Sequence, residues 1–315
     1  MKLVAPLNAF GRGDLAMAGG KGANLGELVR NAFPVPGGFV ITTHAYDLVA
    51  QGHDTRAYFE GVDLPDDLRQ AISSAYAELG GGPVAVRSSA TAEDLPGAAF
   101  AGQQDTYLNV VGEQALLDAV RRCWGSLWTG RAIAYRAKLG IDDSEVRIAV
   151  VVQSMVEADT AGVMFTANPV TGDRAQLVID ASSGLGEAVV SGLVTPDHYV
   201  IAASGAAGFT PGRREVVIRG TAGGGVTRET GGDAAPERLP GAVLDELAKL
   251  GRQVAAHFGR SQDIEWAYAG GRVHLLQARP MTALPPPPSA GSTPSSAASP
   301  ASCSNTCPSG PTRST

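Results

Sequence analysis

Residues 84–106 read VAVRSSATAEDLPGAAFAGQQDT, and the fold turns on them. The stretch opens with a short apolar run, Val84-Ala85-Val86, preceded by GGGP at 80–83. Such a run is a buried strand. It delivers Arg87 into Ser88-Ser89-Ala90-Thr91, where no core strand is expected to continue. A planar, permanently charged guanidinium at a strand end, beside small hydroxyl residues, suits an anion. LPGAAFAG at 95–102 then forms a loop of small residues around one aromatic. Its backbone amides can approach phosphate oxygens closely, because almost no side chain stands in the way. The alternative is an arginine in a surface ion pair beside a mobile loop.

Upstream, GGKG at 19–22 stands just before a helical pattern running from Asn24 to Arg30. Amides at a helix start and the Lys21 ammonium make a phosphate site; the other reading is a solvated loop lysine. The pattern is not a Walker A loop, because Leu15 and Gly22 stand where Gly and Ser or Thr are required. FPVPGGFVI at 33–41 is a turn feeding a short strand, after which Thr42 or Thr43 caps a helix through Ala50. Leu64, Leu68, Ile72, Ala75 and Leu79 form a helical stripe, and 113–123 and 129–139 read as two further helices. Trp124 and Trp128 between them are read as core.

Downstream, VRIAVVVQ at 146–153 is a buried strand ending at Gln153-Ser154-Met155-Val156. It either leaves the core there or forms a hinge where backbone groups read an adenine edge and Met155 and Val156 pack on its face. Strands at 161–166 and 176–180 flank the turn ANPVTGD. GLGEAV at 184–189 fails as a dinucleotide fingerprint, since Val189 stands where Gly or Ala is needed, and leaves a tight turn that presents Glu187. The Gly-rich region 203–236 is read as strands on loose loops without chemistry, and 241–259 as an amphipathic helix.

QDIEWAY at 262–268 and RVHLLQAR at 272–279 form a hairpin around Ala269-Gly270-Gly271. Register decides its meaning. A two-residue turn sets Glu265 opposite Leu276, with Gln277 on the other face. A three-residue turn puts Glu265, Leu275, Gln277 and Arg279 on one face, where carboxylate, amide oxygen and guanidinium suit Mg²⁺ and its phosphates. The odd-length turn is the expectation, and it leaves His274 on the face opposite Glu265.

The 315 residues are 44% hydrophobic and 18% charged, a globular composition with ample length for a core. A net charge of −6 without a basic stripe argues against nucleic acid as a partner. Three cysteines without a framework suggest a reducing compartment. With no apolar run of 18 residues and no signal-peptide core, the expectation is a cytoplasmic protein off the membrane. Residues 1–283 are expected to form the folded body and 284–315 a disordered Pro/Ser/Ala-rich tail.

GGKGANLGEL, VPGGFVITTHAY, residues 84–110, CWGSLW, GVMFTANPVTG, GLGEAVVSGLVTPD and DIEW…LLQARP together resemble the ATP-binding domain shared by phosphoenolpyruvate synthase, pyruvate phosphate dikinase and rifampicin phosphotransferase, closest to the last. The resemblance implies an α+β, bilobal ATP-grasp fold holding ATP and Mg²⁺ between two mixed α/β lobes. It implies that Lys21 and Arg87 hold phosphates, that Gly102 and Thr106 line the phosphate loop, and that Gln153 sits at the adenine hinge. Glu265 and Gln277 would ligate the metal, and Arg279 the phosphate tail. In that family ATP gives its β-phosphoryl to a histidine on a separate swivelling domain, leaving AMP and phosphate, and the acceptor is rifampicin or pyruvate. None of His44, His53, His198, His257 or His274 stands in the family's phosphohistidine context, so no catalytic residue is expected in this chain.

Overall fold

The computed structural model describes residues 2–91, 105–143, 145–213, 215–230, 238–282 and 284–286. Gly102 with its loop, and the expected tail beyond residue 286, lie outside them. The first lobe runs β1 (Val4–Pro6), α1 (Leu15–Arg30), β2 (Gly38–Ile41), α2 (Thr43–Ala50), α3 (Arg56–Gly61) and α4 (Asp66–Glu78). It continues with β3 (Val84–Ala90), β4 (Thr106–Val110), α5 (Glu113–Gly125), α6 (Gly130–Leu139) and β5 (Ile148–Ser154). Its antiparallel sheet has the order β1-β2-β5-β3-β4.

The second lobe runs β6 (Thr160–Phe165), β7 (Leu177–Ser183), α7 (Glu187–Val190), β8 (Asp197–Ile201) and β9 (Ala207–Thr210). Then come β10 (Val216–Gly220), β11 (Val226–Thr230), α8 (Gly241–Phe258), β12 (Gln262–Ala269) and β13 (Arg272–Pro280). Six of these strands form a sheet of order β13-β12-β6-β7-β8-β9, and β10 and β11 pair as a separate hairpin. The expected α+β architecture of two mixed lobes is therefore the one observed.

Strand alternation divides each lobe into faces. Val84, Val86, Ile148, Val150 and Val152 pack on one side against Phe59, Ile72, Leu116 and Trp124. Val40, Ala149 and Val151 face the other way, onto Ala18 and Leu25 of α1. In the second lobe Ile179, Ile264, Trp266 and Leu275 lie under Val243, Leu247 and Val254 of α8. Leu28 of α1 joins that second core, so one helix packs into both lobes. Burying each of the valine, leucine, isoleucine and phenylalanine side chains stabilises by about 1.5–3 kcal/mol.

Three local expectations need correction. β3 does not stop at Val86 but runs to Ala90, with all seven residues buried. Its hydroxyls are tolerated because each has a partner: Ser88 Oγ donates to Asp105 O at 3.0 Å, and Ser89 Oγ to Ala18 O at 2.8 Å. Thr42 precedes α2 but does not cap it through its side chain, because Oγ1 donates to the carbonyls of Lys2 and Leu3. Trp124 is fully buried, whereas Trp128 only packs on the core's edge and donates to Tyr46 Oη at 3.1 Å.

Candidate functional site: a charged cleft between the lobes

The face of β3 turned away from the large core carries Ala85, Arg87 and Ser89, paired across the ladder with Gln153, Val151 and Ala149 of β5. Thr106, the first residue of β4, pairs with Arg87 on its other side. Alternation alone thus aligns Arg87 and Gln153. Above them α1 is broken at Gly19, whose φ of 65° and ψ of 177° are not helical. A Cβ there would lie 2.0 Å from Ser89 O, so only glycine lets the chain cross β3 this closely. The helix restarts after that kink, which places Lys21 in its opening turn. Its Gly22 amide is already used, donating to Ser89 Oγ at 3.1 Å. The helix therefore begins before Asn24, and Lys21 is buried rather than solvated.

The opposite wall is the β12–β13 hairpin. Ala269 pairs with Arg272, so the turn has two residues, and the odd-length expectation is overturned. Glu265 nevertheless pairs with Gln277, because the register shifts between Glu265 and Trp266 and leaves Leu276 as an extra, bulged residue. The bulge returns Gln277 and Arg279 to the face of Asp263 and Glu265, while Ile264, Leu275 and Ala278 go to the core. The signal was in the sequence: adjacent Leu275 and Leu276 break the alternation of RVHLLQAR. The same register sets His274 opposite Ala267, on the strand face of Glu265 rather than the opposite one.

Between these walls lies a cleft of about 490 Å³. Lys21, Arg87, Thr106, Gln153, Glu265, Gln277 and Arg279 all line it. Seven of the eight residues singled out from sequence thus meet at one place; the eighth, Gly102, lies outside the described residues. Arg87 is buried, and its Nη2 donates to Glu265 Oε2 and to Gln277 Oε1, both at 2.6 Å. Its Nη1 donates to Leu276 O at 2.7 Å. Arg279 pairs with Asp263, Nε to Oδ2 at 2.9 Å. Burial pushes the Asp263 carboxyl above its ordinary range, and Arg279 pulls back without reversing this.

At the other end of the cleft, Gln153 is 2% exposed and its Nε2 has no hydrogen-bond partner. Met155 and Val156 line the wall beside it. The backbone amides of Ser154 and Met155 do not face a ligand, because they donate to Gly37 O and Pro83 O. Reading of a ligand edge here would fall to groups other than these two amides, the Gln153 side chain among them.

Sequence reasoning passed over Asp105 and Asp263. Asp105 lines the cleft, and Asp263 stands two residues before Glu265 in a strand, hence on its face. Glu187, presented by the turn at Gly184, also lines the cleft. Among the described residues no group of three or more His, Cys, Asp or Glu is placed to hold a metal ion. Glu265 and Gln277 do fit Mg²⁺, because their oxygens converge within 2.6 Å of one nitrogen and Mg²⁺ takes few protein oxygens besides water and phosphate.

No histidine is found among the described residues that line the cleft. His198 pairs with Asp180 at 2.7 Å, His257 with Glu27 at 2.8 Å, and His53 stacks on Tyr58. No helix among the described residues is long and apolar enough to cross a membrane.

Known proteins are similar in sequence to this chain. Rifampicin phosphotransferase of Streptomyces sviceus is 44% identical over 319 residues, covering 91% of this chain and 36% of that protein. A probable phosphoenolpyruvate synthase of Methanothermobacter thermautotrophicus is 41% identical, covering 90% and 46%. Phosphoenolpyruvate synthase of Pyrococcus furiosus is 39% identical, covering 87% and 43%. The chain thus spans less than half the length of these relatives. Among solved structures, D-alanine–D-alanine ligase from Bacillus anthracis overlays with a TM-score of 0.31 at 7% identity, covering 82% of this chain and 54% of that one. Residues 47–293 match the pyruvate phosphate dikinase AMP/ATP-binding domain, and the chain belongs to that family.

Proposed function

We propose that this chain is the ATP-binding part of a dikinase-type phosphotransferase, in which ATP, rifampicin and water give AMP, phosphate and the phosphorylated drug. One observation carries the reading: seven residues from both lobes, far apart in sequence, line one cleft. Adenine would lie by Gln153, Met155 and Val156, where the unpartnered Nε2 of Gln153 offers a donor to a ring nitrogen. The phosphates would meet Lys21, Arg87, Arg279, Thr106 and the Gly102 loop. Glu265 and Gln277 would hold Mg²⁺, which when bound offsets charge on the phosphate oxygens. The protein's own work is positioning, and among the described residues lining the cleft there is no histidine to accept the phosphoryl group. A histidine from elsewhere would accept the β-phosphoryl.

The relatives differ in acceptor, and pyruvate in place of rifampicin is the other outcome to be distinguished. Calorimetry tests the site. One ATP should bind per chain in Mg²⁺, and Lys21→Ala and Gln153→Ala should each weaken it by about 1.5–3 kcal/mol, the scale of a lost charge-assisted or buried hydrogen bond. Absence of saturable ATP binding would overturn the reading. Competition between rifampicin and pyruvate in the complete enzyme decides the acceptor.

A further inference from the structure

Three acceptor oxygens of the C-terminal hairpin converge on one guanidinium. Glu265 Oε2 and Gln277 Oε1 each accept from Arg87 Nη2 at 2.6 Å, and Leu276 O accepts from Nη1 at 2.7 Å. The bulge at Leu276 creates this convergence, since it turns a carboxylate, an amide oxygen and a main-chain carbonyl to the same side. Carboxylate, amide and carbonyl oxygens are also the donors a hard divalent cation takes. The arginine and a metal ion therefore contend for one set of oxygens. A second cation within about 4 Å of the guanidinium would be repelled, because a buried guanidinium is only partly screened by solvent. The Arg87 side chain is 8% exposed and that of Glu265 24%.

We propose that Arg87 is a resident counter-cation that holds the metal site closed until an anion draws it away, so that the divalent cation enters with the nucleotide and not before it. The proposal rests on the reading of this cleft as an ATP and Mg²⁺ site. Two features favour a guanidinium that moves. Arg87 Nε is buried without a partner, so the present arrangement does not saturate its donors. Lys21 and Thr106 line the same cleft, and a phosphate seated by them meets a fork that fits phosphate as well as carboxylate. While Arg87 holds the oxygens, the apparent metal affinity is reduced by the small fraction of molecules in which they are free. An arginine that merely ties the lobes together predicts no such gating.

The experiment measures Mn²⁺ binding by electron paramagnetic resonance on the purified chain, with and without a non-hydrolysable ATP analogue. Mn²⁺ held by the analogue in solution is subtracted. Wild type should bind Mn²⁺ at least tenfold more weakly without the analogue than with it. Arg87→Met, without the analogue, should bind Mn²⁺ at least tenfold more tightly than wild type. Equal or weaker binding by Arg87→Met overturns the proposal. If that variant does not fold, Arg87→Lys decides. A single ammonium cannot bridge all three oxygens, so a gain of a few-fold is expected and no gain overturns it. Glu265→Gln separates the two levels of inference. If it keeps full Mn²⁺ binding with the analogue, the metal-site reading falls and this proposal with it. If it loses that binding while Arg87→Met gains none, the gating alone is wrong.

Discussion

Arg87 was legible because a charge interrupting an apolar strand demands a partner, and the chain carries that demand in its own sequence. Its truncation is the sharpest test at this scale. Arg87→Ala should weaken ATP binding by about 2–4 kcal/mol, the range for removing one partner of a buried, hydrogen-bonded charge pair. Unchanged affinity by calorimetry would remove Arg87 from the site. Ser89 was not legible. Its hydroxyl joins Ala18 O and the Gly22 amide, groups 71 and 67 residues away, and no local pattern announces such a partner. Gly19 completes that contact from the other side. Gly19→Ala would put a methyl 2.0 Å from Ser89 O at a φ of 65°. The crossing must then open, at a cost of at least about 2 kcal/mol. A thermal melt unchanged from wild type would contradict this.

The β12–β13 hairpin shows what an element's sequence states and what it hides. Both strands and the functional residues are readable from β-type composition, but the turn has two residues where the sequence suggests three. The conclusion that Glu265 and Gln277 share a face survived only through the bulge at Leu276. Deleting Leu276 tests this account. Gln277 would then follow Leu275 directly and still stand opposite Glu265 in an unbroken ladder. ATP binding should be retained without weakening, because the carbonyl lost is one that Arg87 Nη1 gives up as it turns to the phosphates. Complete loss of binding with an intact fold would mean the bulge does more than set register. The loops of the Gly-rich region 203–236 are expected to be loose, yet the one joining β10 to β11 is fastened to β4: Asn109 Nδ2 donates to Thr221 O at 2.8 Å and to Gly225 O at 2.6 Å. Asn109 adopts a φ of 54°, a conformation asparagine tolerates better than most residues, and a lone Asn in an apolar strand does not reveal it.

Across the whole molecule the lobes are joined by this clasp, by Arg87, and by a third tie where α1 meets α8. There Glu27 Oε1 lies 2.8 Å from His257 Nε2 and the Arg12 amide donates to Oε2 at 3.3 Å. Burial alone would raise the Glu27 carboxyl, but His257 and Arg12 outweigh it and hold it below its ordinary value of 4.5. A depressed carboxylate contributes stability that is present above its unfolded value and lost as pH falls through its folded one. Glu27→Gln should therefore flatten the stability profile below pH 4.5, as followed by urea melts; an unchanged acid limb would remove this tie. The last expectation concerns chemistry. Phosphoryl transfer needs a nucleophile in line with the phosphorus, and positioning supplies most of the rate. The cleft offers Lys21, Arg87 and Arg279 to bind charge, but among its described residues no imidazole to accept a phosphoryl group. His198 and His257 are held by carboxylates elsewhere, and His274 lies outside the cleft lining although it shares a strand face with Glu265. Burial also lowers the His274 pKa, which favours a neutral ring but brings it no closer to a ligand. Purified chain with ATP, Mg²⁺ and rifampicin should accordingly bind nucleotide yet form neither phosphorylated drug nor more than background AMP. Adding a separately expressed histidine-bearing domain should raise AMP formation, less than a tether would, because effective concentration is lost. Robust drug phosphorylation by this chain alone would show that one of its five histidines reaches the cleft, and would sink the division of labour argued above.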